Sequence, residues 1–189
     1  MAHESLRCWA EIDLDALIFN LRRIRSLQKS RPVIGVVKAD AYGHGLFAVA
    51  RRLTKEGVAL LAVANLCEAE LASRAAPRAD ILILSPLLPD EMEEVVRYPR
   101  WIPTISLNAE FEKLEKTAAR VKRKVRAHLK LDTGMGRVGD FDGRLFQLAQ
   151  RIHASRWVIL DGLYSHLACA ETDPAASLRQ RVHFEIFCR

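Results

Sequence analysis

Apolar and polar positions follow two rhythms along this chain, and the rhythms take turns. Leu14, Leu17, Ile18, Leu21, Ile24 and Leu27 recur at three- and four-residue spacing behind Asp13. This is one face of an amphipathic helix with an N-cap in front of it. Ahead of that helix, residues 8–12 read as a short strand. Ser30-Arg31-Pro32 breaks the helix, and residues 33–38 follow as a continuous apolar run closed by a lysine. Such runs suit strands buried on both faces. Residues 59–63, 81–84, 101–104, 125–131 and 158–164 read the same way.

Helical patterns fill the gaps. Phe47, Ala50 and Leu53 mark a helix closed near Gly57, and Asn65 caps one carrying Leu71, with Glu68 completing a capping-box pattern. Pro86 and Pro89 open a turn and a helix through Val96, and Asn108 begins a helix with Phe111, Leu114 and Ala118 on one face. Asp173-Pro174, an N-cap followed by proline, starts a last helix that runs to Arg189. Strands alternating with helices predict a parallel sheet covered on both faces. A doubly wound open sheet and a closed barrel both satisfy the periodicity. No G-x-G-x-x-G follows a strand, which counts against a dinucleotide fold.

Composition narrows the classes. The chain has 189 residues, half of them apolar, enough for one good core, but short of the roughly 250 typical of a (β/α)8 barrel. A net charge of +6 is spread among mixed signs. The densest basic run, residues 120–130, contains no aromatic side chain to stack on a base. It reads as a solvated helix end leading into a strand, and no nucleic-acid partner is expected. Four cysteines lie far apart, without zinc-like spacing, so reduced thiols and a cytoplasmic location are expected. Residues 1–7 lack the apolar core of a signal peptide. No run approaches the roughly 20 apolar residues of a membrane span. His3, His44, His128, His153 and His183 show no metal-ligand spacing.

Three stretches carry candidate chemistry. In Val36-Val37-Lys38-Ala39-Asp40-Ala41-Tyr42-Gly43-His44-Gly45 a lysine stands where a strand stops, before a glycine-rich turn and a helix. That placement suits a nucleophilic amine able to form a Schiff base with an aldehyde, of which pyridoxal phosphate is the commonest. The glycines and the helix amino terminus would favour a phosphate. An exposed lysine in an ordinary βα turn fits the same residues. In Lys130-Leu131-Asp132-Thr133-Gly134-Met135-Gly136-Arg137 a strand again ends in a glycine-rich loop. The arginine closing it has the planar fork that suits a carboxylate, whether of a ligand or of a surface acid. Leu163-Tyr164-Ser165-His166 ends another strand. Lys38, Leu84, Arg137 and His166 thus all fall at or just beyond predicted carboxyl ends, the face that carries the active site in barrel enzymes.

The decapeptide around Lys38 resembles the pyridoxal-phosphate attachment signature of the alanine racemases, and the Lys130–Arg137 octapeptide resembles their KxDTGMGR segment. The resemblance implies an amino-terminal (β/α)8 TIM-type barrel, α/β in class, with about six of its eight strand–helix units in residues 1–189. The chain reads as truncated, its carboxyl-terminal β domain absent. The resemblance assigns Lys38 to carry pyridoxal 5'-phosphate and to serve the D-enantiomer as base. It assigns the Tyr42 hydroxyl to the cofactor phosphate, and Arg137 to the phenolic oxygen beside the substrate carboxylate. His166 would stack on the pyridine face, and Leu84 would line the pocket. Lys130 would be carbamylated, becoming an anion that orients Arg137. The implied activity interconverts L- and D-alanine for peptidoglycan. The opposite base would be a tyrosine donated across a homodimer interface from the missing domain, so the fragment is not expected to be competent alone. A broad-specificity amino-acid racemase, a non-catalytic pyridoxal-phosphate barrel and a decarboxylase of the same cofactor fold type stay open.

Overall fold

A computed structural model of the chain describes residues 8–28 and 31–189. The readings placed on residues 1–7 and on Ser30 lie outside the described residues. Six parallel strands form one sheet: β1 (Ile34–Val36), β2 (Leu60–Val63), β3 (Asp80–Ile83), β4 (Trp101–Ile105), β5 (Val125–Lys130) and β6 (Val158–Tyr164). Each strand pairs with the next in sequence. A doubly wound sheet would reverse its order partway, so the chain follows a barrel path and the alternative left by periodicity falls away.

The connecting helices are α1 (Leu14–Leu27), α2 (Lys38–Gly43), α3 (Leu46–Lys55), α4 (Leu66–Ala75), α5 (Met92–Arg97), α6 (Asn108–Val121), α7 (Asp142–Ala154) and α8 (Pro174–Phe187). Strand side chains alternate between two layers, as the two-residue period demands. Outward, Leu61, Val63, Ile81 and Ile83 meet Val49, Leu53, Ala69 and Ala72. Further round, Ala127, Leu129 and Leu131 meet Leu114, Ala118, Leu145, Leu148 and Ile152. Inward, Ala62, Leu82 and Ile102 pack with Leu60, Leu84 and Tyr164. β1 and β6 each have one strand neighbour. Ile34, Val36 and Ile159 on these edge strands are accordingly about two-fifths exposed.

Several expectations need correction. Residues 8–12 form no strand: Trp9 is exposed and no neighbouring strand reaches them to take up their backbone groups. α3 buries Leu46, Val49, Ala50 and Leu53 and leaves Phe47 exposed. α4 buries Leu66 and three alanines rather than Leu71, because small side chains let α4 approach α3 closely. α7 is an addition to the expected helices, with Leu145, Leu148 and Ile152 buried at helical spacing. α8 closes at Phe187, not Arg189. The caps were legible: Asp13 accepts from Asp15 and Ala16, and Asp173 from Ala176.

The basic run also divides. Arg120 and Arg123 lie on the surface, where Arg120 pairs with Glu93 and Arg123 donates to the Arg97 carbonyl. Arg126 instead faces inward, 2.7 Å from Asp80 and 3.6 Å from Asp161, and Lys130 is buried. Beside this cluster the buried His128 ring lies against the backbone of β6 at Gly162. A Cβ there would sit 2.6 Å from Cε1 and Nε2 of the ring. Gly162→Ala is therefore expected to cost about 1–3 kcal/mol by overpacking, read as a lower urea midpoint at unchanged denaturant slope.

Candidate active site

β1 hands the chain to the rim at Val37, whose N–H still reaches the Ala62 carbonyl (2.8 Å). Lys38 follows, half-buried, and Ala39, Asp40, Ala41 and Tyr42 then take φ of 51°, 53°, 53° and 55°. Left-handed backbone costs L-residues roughly 1–2 kcal/mol each, so this turn persists only where its surroundings fix it. Glu68 of α4 does so. Its Oε1 accepts from Ala39 N and its Oε2 from Ala64 N, both at 2.7 Å. The expected capping box is thus half right: Asn65 accepts from Glu68 N, but the Glu68 carboxylate bridges two loops instead of returning to Asn65.

Asp40 closes the turn from the other side. Its Oδ1 accepts from Leu46 N at 2.6 Å, and its carbonyl accepts from Gly45 N at 2.9 Å. Asp40 thus takes up the first N–H of α3. Tyr42, on the same turn, is 61% exposed.

β5 ends in Lys130, buried at 6% exposure. The loop beyond it winds around one carboxylate. Asp132 Oδ1 accepts from the backbone N–H groups of Gly134 and Met135, and Oδ2 from those of Gly136 and Arg137. Burial pushes the Asp132 carboxyl up, but the four N–H donors outweigh it and hold the group below its usual range. Because the folded value is depressed, the stabilisation is fully present above the unfolded value of about 3.9. It is lost as pH falls through the lower folded value. Asp132→Asn is expected to flatten this acid limb of a stability–pH profile measured below pH 4.

The loop carries Arg137 onto the same rim as Lys38. Burial, then the charges of Arg137 and Lys38, lower the Lys130 amine, against an opposing pull from Asp132. Burial, then Arg137, Lys130 and Lys38, lower the His166 imidazole. The four residues thus act on one another. Among the described residues, no carboxylate lies within ion-pair distance of Lys38, Lys130 or Arg137. Lys38 and Arg137 thus stand without a paired carboxylate beside two groups whose neutral forms are favoured, and the rim suits an anionic ligand.

Beneath it lie two residues not singled out from the sequence. The Tyr164 hydroxyl and Thr104 Oγ1 are 2.8 Å apart, and Thr104 donates to the Ile83 carbonyl (2.7 Å), which leaves Tyr164 as the donor between them. Burial pushes the phenol up to about 12, so it stays protonated. The Lys130 ammonium lies 5.9 Å from the centre of its ring, within cation–π range. Their signal was available, since alternation along β4 and β6 turns both inward at the rim. Leu84 packs into the same inner cluster. The structure therefore brings together Lys38, Lys130, Arg137 and His166, sets Leu84 below them, and leaves the Tyr42 side chain out in solvent. Two cavities of about 660 and 640 Å³ lie on either side of α8, the first lined in part by Tyr164 and Ser165 and the second by Asp132, Gly134 and Gly136. Among the described residues no three His, Cys, Asp or Glu side chains gather as a metal site. No helix there is long and apolar enough to cross a membrane.

An amine and three further basic side chains gather on the carboxyl-terminal rim of a parallel (β/α) barrel sheet, the class of domain whose enzymes carry their chemistry on that face. Residues 12–189 match the family model for the alanine racemase N-terminal domain, and the chain belongs to that family. It is 38% identical over 175 residues to an alanine racemase of Methylacidiphilum infernorum, covering 92% of this chain and 45% of the relative. It is 38% identical over 186 residues to that of Syntrophobacter fumaroxidans, covering 97% and 48%. The alanine racemase of Clostridium difficile 630, solved in complex with cycloserine, superposes with a TM-score of 0.90 at 30% identity, over 97% of this chain and 51% of that one. The chain spans about half the length of the relatives it matches.

Proposed function

We propose that residues 1–189 form one partial barrel domain of a cytoplasmic, pyridoxal-phosphate-dependent alanine racemase, which supplies D-alanine for peptidoglycan. The observation that carries this reading is the meeting of Lys38 with Arg137, Lys130 and His166 on the rim of this family's barrel. The donor set fits the cofactor: an amine for its aldehyde, and cations for its phosphate, its phenolic oxygen and a substrate carboxylate. Lys38 would hold it covalently, with the Tyr42 hydroxyl toward the phosphate, Arg137 toward the phenolic oxygen, the His166 ring on the pyridine face and Leu84 as wall. When bound, pyridoxal phosphate supplies a conjugated ring that takes up the charge left as an α-proton departs.

The chain's own residues do the rest. Lys38 Nζ removes or returns the α-proton on one face of the substrate. The Arg137 fork binds the substrate carboxylate and fixes which bond points at Lys38. Burial and Arg137 favour the neutral Lys130 amine, the form that takes up carbon dioxide to give a carbamate. That carbamate would then steady Arg137. A second base must serve the opposite face, and family resemblance places it on a tyrosine beyond these residues, in a homodimer. Racemisation therefore needs more than this chain.

The test uses the full-length protein. Borohydride reduction with pyridoxal phosphate should fix the label on Lys38, and alanine in heavy water should exchange its α-proton and racemise. Labelling without exchange would instead mark a non-catalytic carrier, and no labelling would remove the cofactor reading altogether. Comparable exchange rates with serine or basic amino acids would favour a broad-specificity racemase.

A further inference from the structure

Gln180 inverts the usual order of α8. It is buried at 5% exposure, while Leu178, Val182 and Ile186 of the same helix are 51%, 41% and 62% exposed. A buried amide is tolerated when its hydrogen bonds are made, and here they run to two loops at once. Gln180 Nε2 donates to Thr133 Oγ1 (3.1 Å) and to the His166 carbonyl (3.0 Å), while Oε1 accepts from Ala168 N (2.8 Å). Thr133 Oγ1, having accepted from the amide, lies 2.8 Å from Ser165 Oγ. Thr133 belongs to the loop that carries Arg137, and residues 165–168 are the loop that carries His166.

The Thr133–Ser165 contact joins the two loops directly, and Gln180 adds three bonds that tie both of them to α8. Cavities of about 660 and 640 Å³ flank the helix, and Thr133 lines both, so the amide bonds cross a corner with open space on either side. The position also demands glutamine chemistry. Two donors and an acceptor are needed on one planar group of this reach; glutamate supplies no donor when ionised, and methionine supplies none.

We infer that Gln180 is a positioning residue, holding the Arg137 loop and the His166 loop in fixed register so that guanidinium and imidazole meet one ligand together. The inference rests on the reading that Arg137 and His166 hold the cofactor. It is distinct from a merely structural role, in which the amide would only anchor α8.

The experiment compares full-length wild type with Gln180→Glu and Gln180→Met. Hydrogen exchange without cofactor should show peptides spanning 133–137 and 165–168 exchanging at least tenfold faster in both variants, with β2 and β3 peptides unchanged. On the same proteins the dissociation constant for pyridoxal phosphate should rise at least tenfold. The absorption maximum of the bound cofactor should shift, with borohydride still fixing it at Lys38. If either substitution prevents folding, Thr133→Val removes the Gln180–Thr133 and Thr133–Ser165 bonds from the loop side, and faster exchange of the 133–137 peptides with weaker pyridoxal-phosphate binding is expected of it too. Unchanged exchange in the two loops, or loosened loops with unaltered affinity and spectrum, would overturn the inference. Failure of wild type to bind pyridoxal phosphate would instead overturn the cofactor reading, while the exchange arm still decides whether Gln180 couples the loops.

Discussion

Lys38→Arg in the full-length protein is expected to abolish borohydride-fixed pyridoxal phosphate and to slow α-proton exchange of alanine by about 10³-fold or more. Arginine keeps the positive charge beside Arg137, so the anionic parts of the ligand remain attracted. What it lacks is a free amine, and its guanidinium cannot lose a proton near neutrality. Covalent capture and proton transfer should therefore fail together, while non-covalent binding survives with reduced affinity. The geometry gives this prediction its sharpness. Lys38 is placed by a left-handed turn that Glu68 and Asp40 secure through main-chain groups, so the substitution leaves the turn intact. Label recovered on Lys130, or exchange within tenfold of wild type, would show that another amine does the work.

The parts of this molecule legible in sequence are those where local chemistry and global fold agree. Continuous apolar runs gave the six strands, and Asp13, Asn65 and Asp173 announced three helices by their caps. Lys38, Leu84, Arg137 and His166 could be placed at strand ends because those ends share a face whatever the loops do. Other features depend on partners that are remote in the chain. Residues 8–12 have strand composition but no neighbour, and β-propensity reports fit to a surface rather than an intrinsic backbone choice. The buried face of α4 is built of alanines, which a search for large apolar residues passes over.

Site-supporting residues were hidden for the same reason. Glu68 reads as a cap by its offset from Asn65, yet its carboxylate serves Ala39, which is 29 residues away. Gln180 reads as a polar helix residue and reaches Thr133 over a separation of 47. Tyr164 meets Thr104 over 60. Motifs therefore exposed the groups that would touch a ligand, while the groups that hold them still became visible only through tertiary contacts.

That division sets up the second large effect, in a residue outside every motif. Gly139→Ala is expected to destabilise the protein by about 2–4 kcal/mol and to weaken pyridoxal-phosphate binding beyond what the stability loss explains. Gly139 has φ of +125°, a region that L side chains rarely adopt, and a Cβ there would lie 2.8 Å from Asp132 N and 3.2 Å from Asp132 Cα. Those are backbone atoms, so no rotamer change relieves the clash. The hydrogen bond from Asp132 N to the Asp140 carbonyl (2.9 Å) must lengthen, together with the bridge between Leu131 and Asp140. Asp132 then shifts against the four N–H groups it gathers, and Arg137, the last of them, leaves the rim. Gly143 supplies the control. It lies in α7 with open space around its Cβ position and no positive φ, so Gly143→Ala should stabilise by about 0.5–1 kcal/mol and leave binding unchanged. Urea midpoints and cofactor titrations on the two variants separate the cases. Equal behaviour of Gly139→Ala and Gly143→Ala would show that the Arg137 loop does not depend on its close approach to Asp132.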